Sequence, residues 1–114
     1  MRYDIRITER AKSDMREIQR FITNEYGNSD AAFRRVSLIQ SKIKTLNENP
    51  ERRPLTRDDY LVSRGIRTLV VKNQIIFYIV KNNIKTVYII RILHVRRDWL
   101  TILKSEVDNL LEEE

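Results

Sequence analysis

Apolar and polar positions along this chain change period three times. Tyr3 to Ile7 alternate as a half-buried strand does. Ala11, Met15, Ile18, Ile22 and Tyr26 then recur at helical spacing, behind a Thr8 of the type that caps helix N-termini. Gly27 stands where a helix end takes a left-handed residue. A second stripe follows, Ala32, Val36, Ile39, Ile43 and Leu46, with Ser29 as its expected N-cap. So short a turn predicts an antiparallel helical hairpin whose two apolar stripes need a flat cover.

A polar stretch with both prolines, from Glu48 to Asp59, predicts a surface loop. Period two returns in three runs, about 65–71, 74–81 and 84–94, rich in Ile, Val, Tyr and Phe. Lys72-Asn73 and Asn82-Asn83 read as two-residue turns, which predicts an antiparallel meander. A last helix is expected from about Trp99 to Leu111, with Leu103, Val107, Leu110 and Leu111 on its apolar side. The order β-α-α-β-β-β-α gives an α+β fold: a helical hairpin on one face of an antiparallel sheet, then a short C-terminal helix.

The turns also assign faces. They set Arg67 opposite Tyr78, Tyr78 opposite Val87 and Gln74 opposite Arg91. Ile66, Thr68, Val70, Ile75, Phe77, Ile79, Tyr88, Ile90 and Ile92 then form the face expected to meet the hairpin. Arg67, Gln74, Tyr78 and Arg91 share the other face, expected to be open or half-covered.

Composition narrows the chemistry. The 114 residues suit one domain, 1–114, with a single core. Without cysteine there is no disulfide, thiolate nucleophile or thiolate metal site, and one histidine argues against zinc. No metal and no cofactor are expected. The charged start, MRYDIRITER, is unlike a secretion signal, and no apolar run approaches membrane length. A cytoplasmic protein without membrane contact is expected. Net charge is +6, unevenly spread. From Lys104 onward five acids face one lysine, a balance of −4, which leaves +10 on the preceding 103 residues. A body this basic calls for a polyanionic or acidic partner, or is simply a basic solvated surface.

Three stretches, in this order, carry a resemblance. They are Tyr3 to Thr8 leading into Ala11 and Asp14, GIRTLVVKNQIIFYIV from Gly65 to Val80, and RILHVRRDW from Arg91 to Trp99. From residue 3 to about 103 the chain resembles the RelE/ParE superfamily of toxins of bacterial and archaeal type II toxin–antitoxin systems. The resemblance implies two helices on an antiparallel sheet and a cognate antitoxin wrapping the basic surface. Operator DNA would be bound only through that complex. It also implies one of two activities: RelE-like members cut messenger RNA in the ribosomal A site without a metal, and ParE-like members inhibit DNA gyrase.

Cutting RNA by 2′-OH attack needs a proton acceptor, a proton donor for the leaving oxygen, and cations on the developing charge. The catalytic candidates for a nuclease are therefore His94, Arg97 and Arg67. Candidates for holding nucleic acid or antitoxin are Arg67, Tyr78, Arg91, Arg96 and Arg97, with Tyr78 or Tyr88 stacking on a base. Each has a plainer reading: His94 bonded to a neighbouring loop, Asp98 capping the last helix, Arg67 packed on Tyr78. One departure bears on the choice. Many ribosome-dependent members carry an arginine three residues before the strand's tyrosine, and here that position is Ile75. The RILH–RRD ending resembles ParE-like sequences, although Arg97 falls where RelE-like members carry a catalytic arginine. The expectation is a ParE-like gyrase inhibitor. A ribosome-dependent mRNA endonuclease and a non-toxic binding module for antitoxin or operator DNA are the alternatives. The acidic end, about 104–114, is expected to be a solvated helix terminus.

Overall fold

Thr8 ends the first strand and opens the first helix with the same side chain. In the computed structural model, which describes residues 2–53 and 58–112 with side chains through Glu106, β1 is Asp4–Ile7 and α1 is Glu9–Tyr26. The Thr8 hydroxyl accepts from the Ala11 amide at 3.2 Å and donates to the Ile89 carbonyl at 2.9 Å. Gly27, at φ 58°, turns the chain where a Cβ would be strained. The cap of α2 (Ser29–Lys44) is Asn28 and not Ser29, which already lies in the helix. Asn28 Oδ1 accepts from the Asp30 and Ala31 amides at 2.9 and 3.3 Å.

The polar stretch is more ordered than a loop. A 3₁₀ turn at Thr45–Asn47 precedes it, a second at Pro50–Arg52 lies within it, and at Asp59 it runs into a five-residue helix, α3 (Asp59–Ser63). Asp58 caps α3 through the Leu61 amide at 3.1 Å, and Leu61 is fully buried. One buried leucine makes no stripe, so the period carried no sign of it. Part of that expected loop, 54–57, lies outside the described residues.

Three strands complete the sheet: β2 (Arg67–Val71), β3 (Gln74–Lys81) and β4 (Thr86–His94), in the order β1-β4-β3-β2. β1 runs parallel to β4, and the other pairs are antiparallel. Lys72-Asn73 is the expected two-residue turn and sets Arg67 opposite Tyr78. The second turn differs. Lys81 pairs with Thr86 across a four-residue loop in which Lys85 has φ 49°, so Tyr78 meets Ile89 in place of Val87. A bulge follows: Phe77 pairs with Arg91, Ile90 has no partner in β3, and Gln74 meets His94 rather than Arg91.

The expected faces are nonetheless exchanged: the four-residue loop keeps the parity of the pairing, but each side packs against the helices expected on the other. The hairpin packs on Leu69, Val71, Ile76, Tyr78, Val87 and Ile89, the side expected to be open. α3 and α4 (Trp99–Glu112) cover Ile66, Phe77, Ile79, Ile90 and Leu93, the side expected under the hairpin. Both sides are apolar, so hydrophobicity alone could not rank them. The bulge carries Ile92 to the hairpin side, against the simple alternation. Asp98 does cap α4, accepting from the Thr101 amide at 3.3 Å. Leu103 is buried against α3's side of the sheet, while the side chains of Val107, Leu110 and Leu111 and the acids from Asp108 on lie outside the described residues.

Tyr78 shows what the hairpin side demands of a polar group. It is fully buried, and its hydroxyl donates to the Pro50 carbonyl at 2.7 Å. Burial pushes the phenol up to about 12, against the opposing pull of Arg67, Arg53 and Arg52. An unfolded tyrosine ionises near its ordinary value of 10, so the folded chain holds the proton longer and stability falls as pH rises from about 10 to about 12. The expected loss is about 2 kcal/mol. Urea unfolding at the two ends of that range checks it: Tyr78→Phe should flatten this part of the slope, at about 1 kcal/mol lower stability near neutral pH for the unpaired Pro50 carbonyl. Equal alkaline slopes in both proteins would contradict the assignment.

Candidate functional site

The charge cluster at the end of β4 emerges as one rim. The Val95 amide donates to the Asn73 carbonyl at 2.7 Å and the Arg97 amide to the His94 carbonyl at 3.0 Å, which fixes the turn after β4 against the β2–β3 turn. Arg96 and Arg97 are left exposed side by side, and His94 is half-buried between them and the sheet. His94 Nδ1 accepts from the Arg96 amide at 3.0 Å. Assigned from that bond, the neutral ring carries its proton on Nε2 and so presents a donor, not the lone pair that a general base needs.

A cleft of about 870 Å³ opens beside this rim. On the α1 side it is lined by Glu17, Ile18, Phe21, Ile22, Glu25 and Tyr26. On the other side stand Arg35, Asn73, Gln74, His94, Arg96 and Arg97. Arg35 Nη1 donates to Gln74 Oε1 at 3.0 Å, so it is anchored toward the sheet. Tyr26, read from the period as a buried stripe residue, is in fact exposed, at the last position of the helix.

The other expected site residues lie elsewhere. Arg67 Nη1 donates to the Glu51 carbonyl at 3.1 Å and to the Arg53 carbonyl, and its Nη2 lies 3.7 Å from the Glu51 carboxylate. It ties down the 50–53 turn beside the buried Tyr78. Arg67 and Tyr78 stand four strand positions from the Gln74–His94 pair, about 13 Å at the rise of a strand. His94, Arg96 and Arg97 come together; Arg67 and Tyr78 do not join them.

Arg91 departs furthest from expectation. Expected on an open face, it is 0% exposed. Its Nε and Nη2 donate to Asp14 Oδ2 and Oδ1 at 2.8 and 3.0 Å, and its Nη1 pairs with Glu106 of α4. Asp14 Oδ2 also accepts from the Ile92 amide at 2.9 Å. Burial alone would lower the arginine's pKa, but Asp14 and then Glu106 outweigh it and hold the guanidinium above its ordinary value. Its guanidinium is thus held inside the fold and is not presented at the surface. Asp14 was the available signal: an acid one turn after Arg10 and Ala11 and one before Ile18 lies within the apolar stripe and asks for a buried cation. Phe21 gave no signal, since it sits one position off that stripe.

Among the described residues no group of three His, Asp or Glu side chains could hold a metal ion, and no helix is long and apolar enough to cross a membrane. The His94 geometry is directly measurable. Ring nitrogen chemical shifts of the neutral side chain should show the proton on Nε2, and a proton on Nδ1 would contradict the bond to Arg96.

With that geometry in place, three solved structures can be set beside the chain. A chromosomal ParDE toxin–antitoxin system from P. aeruginosa matches with TM-score 0.68 and 21% identity, over 81% of this chain and 95% of that one. A toxin–antitoxin complex, RelBE2, from Mycobacterium tuberculosis gives 0.60 and 18%, over 82% and 99%. The E. coli toxin RelE, a mutant in the free state, gives 0.60 and 15%, over 89% and 92%. At these identities the likeness carries the fold alone, which is that of the RelE and ParE toxins. No curated protein matches the chain in sequence. Residues 5–99, however, match the model for the ParE toxin of the type II toxin–antitoxin system parDE. The chain belongs to the ParE toxin family of type II toxin–antitoxin systems.

Proposed function

We propose that the chain is a cytoplasmic toxin that inhibits DNA gyrase in the ParE manner and is neutralised by a cognate antitoxin. Operator DNA is then reached only through the toxin–antitoxin complex. Two similar structures are described as a ParDE system and a RelBE2 complex, which supports an antitoxin partner here.

The observation that carries the gyrase branch is the scatter of the groups that RNA cleavage requires. Arg67 is tied to the 50–53 turn, Arg91 is enclosed with Asp14 and Glu106, and neutral His94 accepts at Nδ1 and so has its proton on Nε2. Ile75 packs with the α3 and α4 side, where a cation would be costly. What remains on the surface is the rim of Arg96 and Arg97, a shape for gripping a protein rather than for moving two protons. One observation favours the alternative, a ribosome-dependent mRNA endonuclease: Arg97 stands beside His94 on an open cleft.

Expression of this chain alone should arrest growth, and co-expression of the antitoxin should restore it. Purified gyrase should then lose supercoiling activity with accumulation of cleaved DNA, while primer extension on translated messages finds no new ends within codons. New 5′ ends inside codons with gyrase unaffected would reverse the choice and give His94 the proton transfer and Arg97 the phosphate.

A further inference from the structure

A second group of cations stands toward the other end of the strands from the His94 rim. Arg67 donates from Nη1 to the Glu51 and Arg53 carbonyls, while its Nη2, 3.7 Å from the Glu51 carboxylate, is beyond hydrogen-bond length. Those bonds bring the backbone of Arg53 against the Arg67 guanidinium. Arg52 is exposed and donates from Nη1 to the Glu48 carbonyl at 2.9 Å. All three arginines lie close enough to the Tyr78 hydroxyl to oppose the effect of its burial. Arg53 differs from the other two. It is half-buried, and its Nε is enclosed with no hydrogen-bond partner among the described residues. A donor in that state is rare in a folded protein, because it has lost water without gaining a partner.

We propose that Arg53 and Arg67 form a site for a phosphate dianion, with Arg53 Nε and Arg67 Nη2 as donors and Arg52 at its mouth. The site is separate from the rim and from the cleft beside α1, and it stands whichever target the toxin has. Charge selects the ligand. Three arginines against Glu51 leave +2 on one turn, which a dianion cancels and a single carboxylate does not. Guanidinium donors also suit a phosphate group, which accepts from two of them at once. Enclosure limits the size of the ligand. No bond holds Arg53 Nε in place among the described residues, so the side chain turns that donor onto a small anion at the mouth. A nucleic-acid strand brings a row of phosphates, and its neighbouring ones meet the exposed Glu48 and Glu51. The bound anion bridges the 50–53 turn to β2. Since that turn also receives the Tyr78 hydroxyl at Pro50, binding and folding are linked.

The probe is inorganic phosphate, titrated calorimetrically into the whole chain with chloride adjusted to hold ionic strength constant. One saturable site per chain is expected, with a melting temperature that rises with phosphate and an Arg53 Nε–H resonance that moves along the same curve. Arg53→Met should weaken binding at least tenfold, with a melting temperature in chloride no lower than the parent's, because the lost Nε bonds nothing in the fold. Arg34→Gln is the control. Arg34 is exposed and lies ten residues back along α2 from Lys44, about 15 Å at the helical rise, so its variant should bind like the parent. Adenosine monophosphate separates the sources: binding equal to that of inorganic phosphate supports an end-phosphate as ligand, and none supports the free ion. No saturable binding by the parent, parent-like binding by Arg53→Met, or equal loss in Arg34→Gln would overturn the site. A DNA duplex without terminal phosphates that binds more tightly than phosphate, and loses that binding in Arg53→Met, would overturn the small-anion choice.

Discussion

Asp14 sits in the second turn of α1 and gives both carboxylate oxygens to β4. One accepts from the Arg91 guanidinium, and the other is shared between Arg91 and the Ile92 amide. The need for it follows from the length of β1, which has four residues and pairs with β4 only as far as Ile89. Beyond that point the edge of a central strand would stand unpaired. Thr8 satisfies the Ile89 carbonyl and Asp14 the Ile92 amide, so α1 continues as side chains the edge that β1 begins as backbone. An arginine enclosed at this depth is tolerable only with its charge met and its donors bonded, which Asp14 and Glu106 do together. The same contact draws α4 onto the sheet, aided by Lys104 and Asp58 at 3.1 Å.

Much of this was legible in the amino-acid sequence, and most of the failures concern long-range packing. Helix and strand periods, Thr8, Gly27, Asp98 and the Lys72-Asn73 turn all act locally, and local signals placed them correctly. Which face meets the hairpin is set instead by packing between two apolar sides, and the register of β4 by one loop length and one bulge. Four residues at Asn82–Lys85 and an unpaired Ile90 are invisible to a period of two, yet they decide what Arg91 opposes. Tyr78 and Arg91 looked like surface polar residues among aliphatics, because burial of a polar group depends on a distant partner: Pro50 for one, Asp14 for the other. The rim of His94, Arg96 and Arg97 was legible because it is contiguous in sequence. The facing acids on α1 were not, because they lie about 70 residues away along the chain.

Charge therefore divides into two populations with different work. Arg67 and Arg91 are bound internally and fasten a turn and a strand edge. Arg96 and Arg97 are held outward by a turn whose amides bond to His94. The set expected for a nuclease, His94, Arg97 and Arg67, would need Arg67 to reach the rim, and the fold holds it about 13 Å away along the strands. Binding a protein needs only the rim and the cleft beside it. The function of the surface thus depends on the interior: the lock that closes the β4 edge also removes an arginine from the reacting surface.

The central claim is that Arg91 and Asp14 act as one internal unit. A double-mutant cycle of unfolding free energies, using Asp14→Asn, Arg91→Met and the pair, tests it most directly. Each single change should cost about 3–5 kcal/mol, because it leaves a buried group unpaired. The double variant should be no less stable than the worse single one. Additive costs, or an Arg91→Met chain as stable as the parent, would contradict the account and return Arg91 to the list of partner-binding residues.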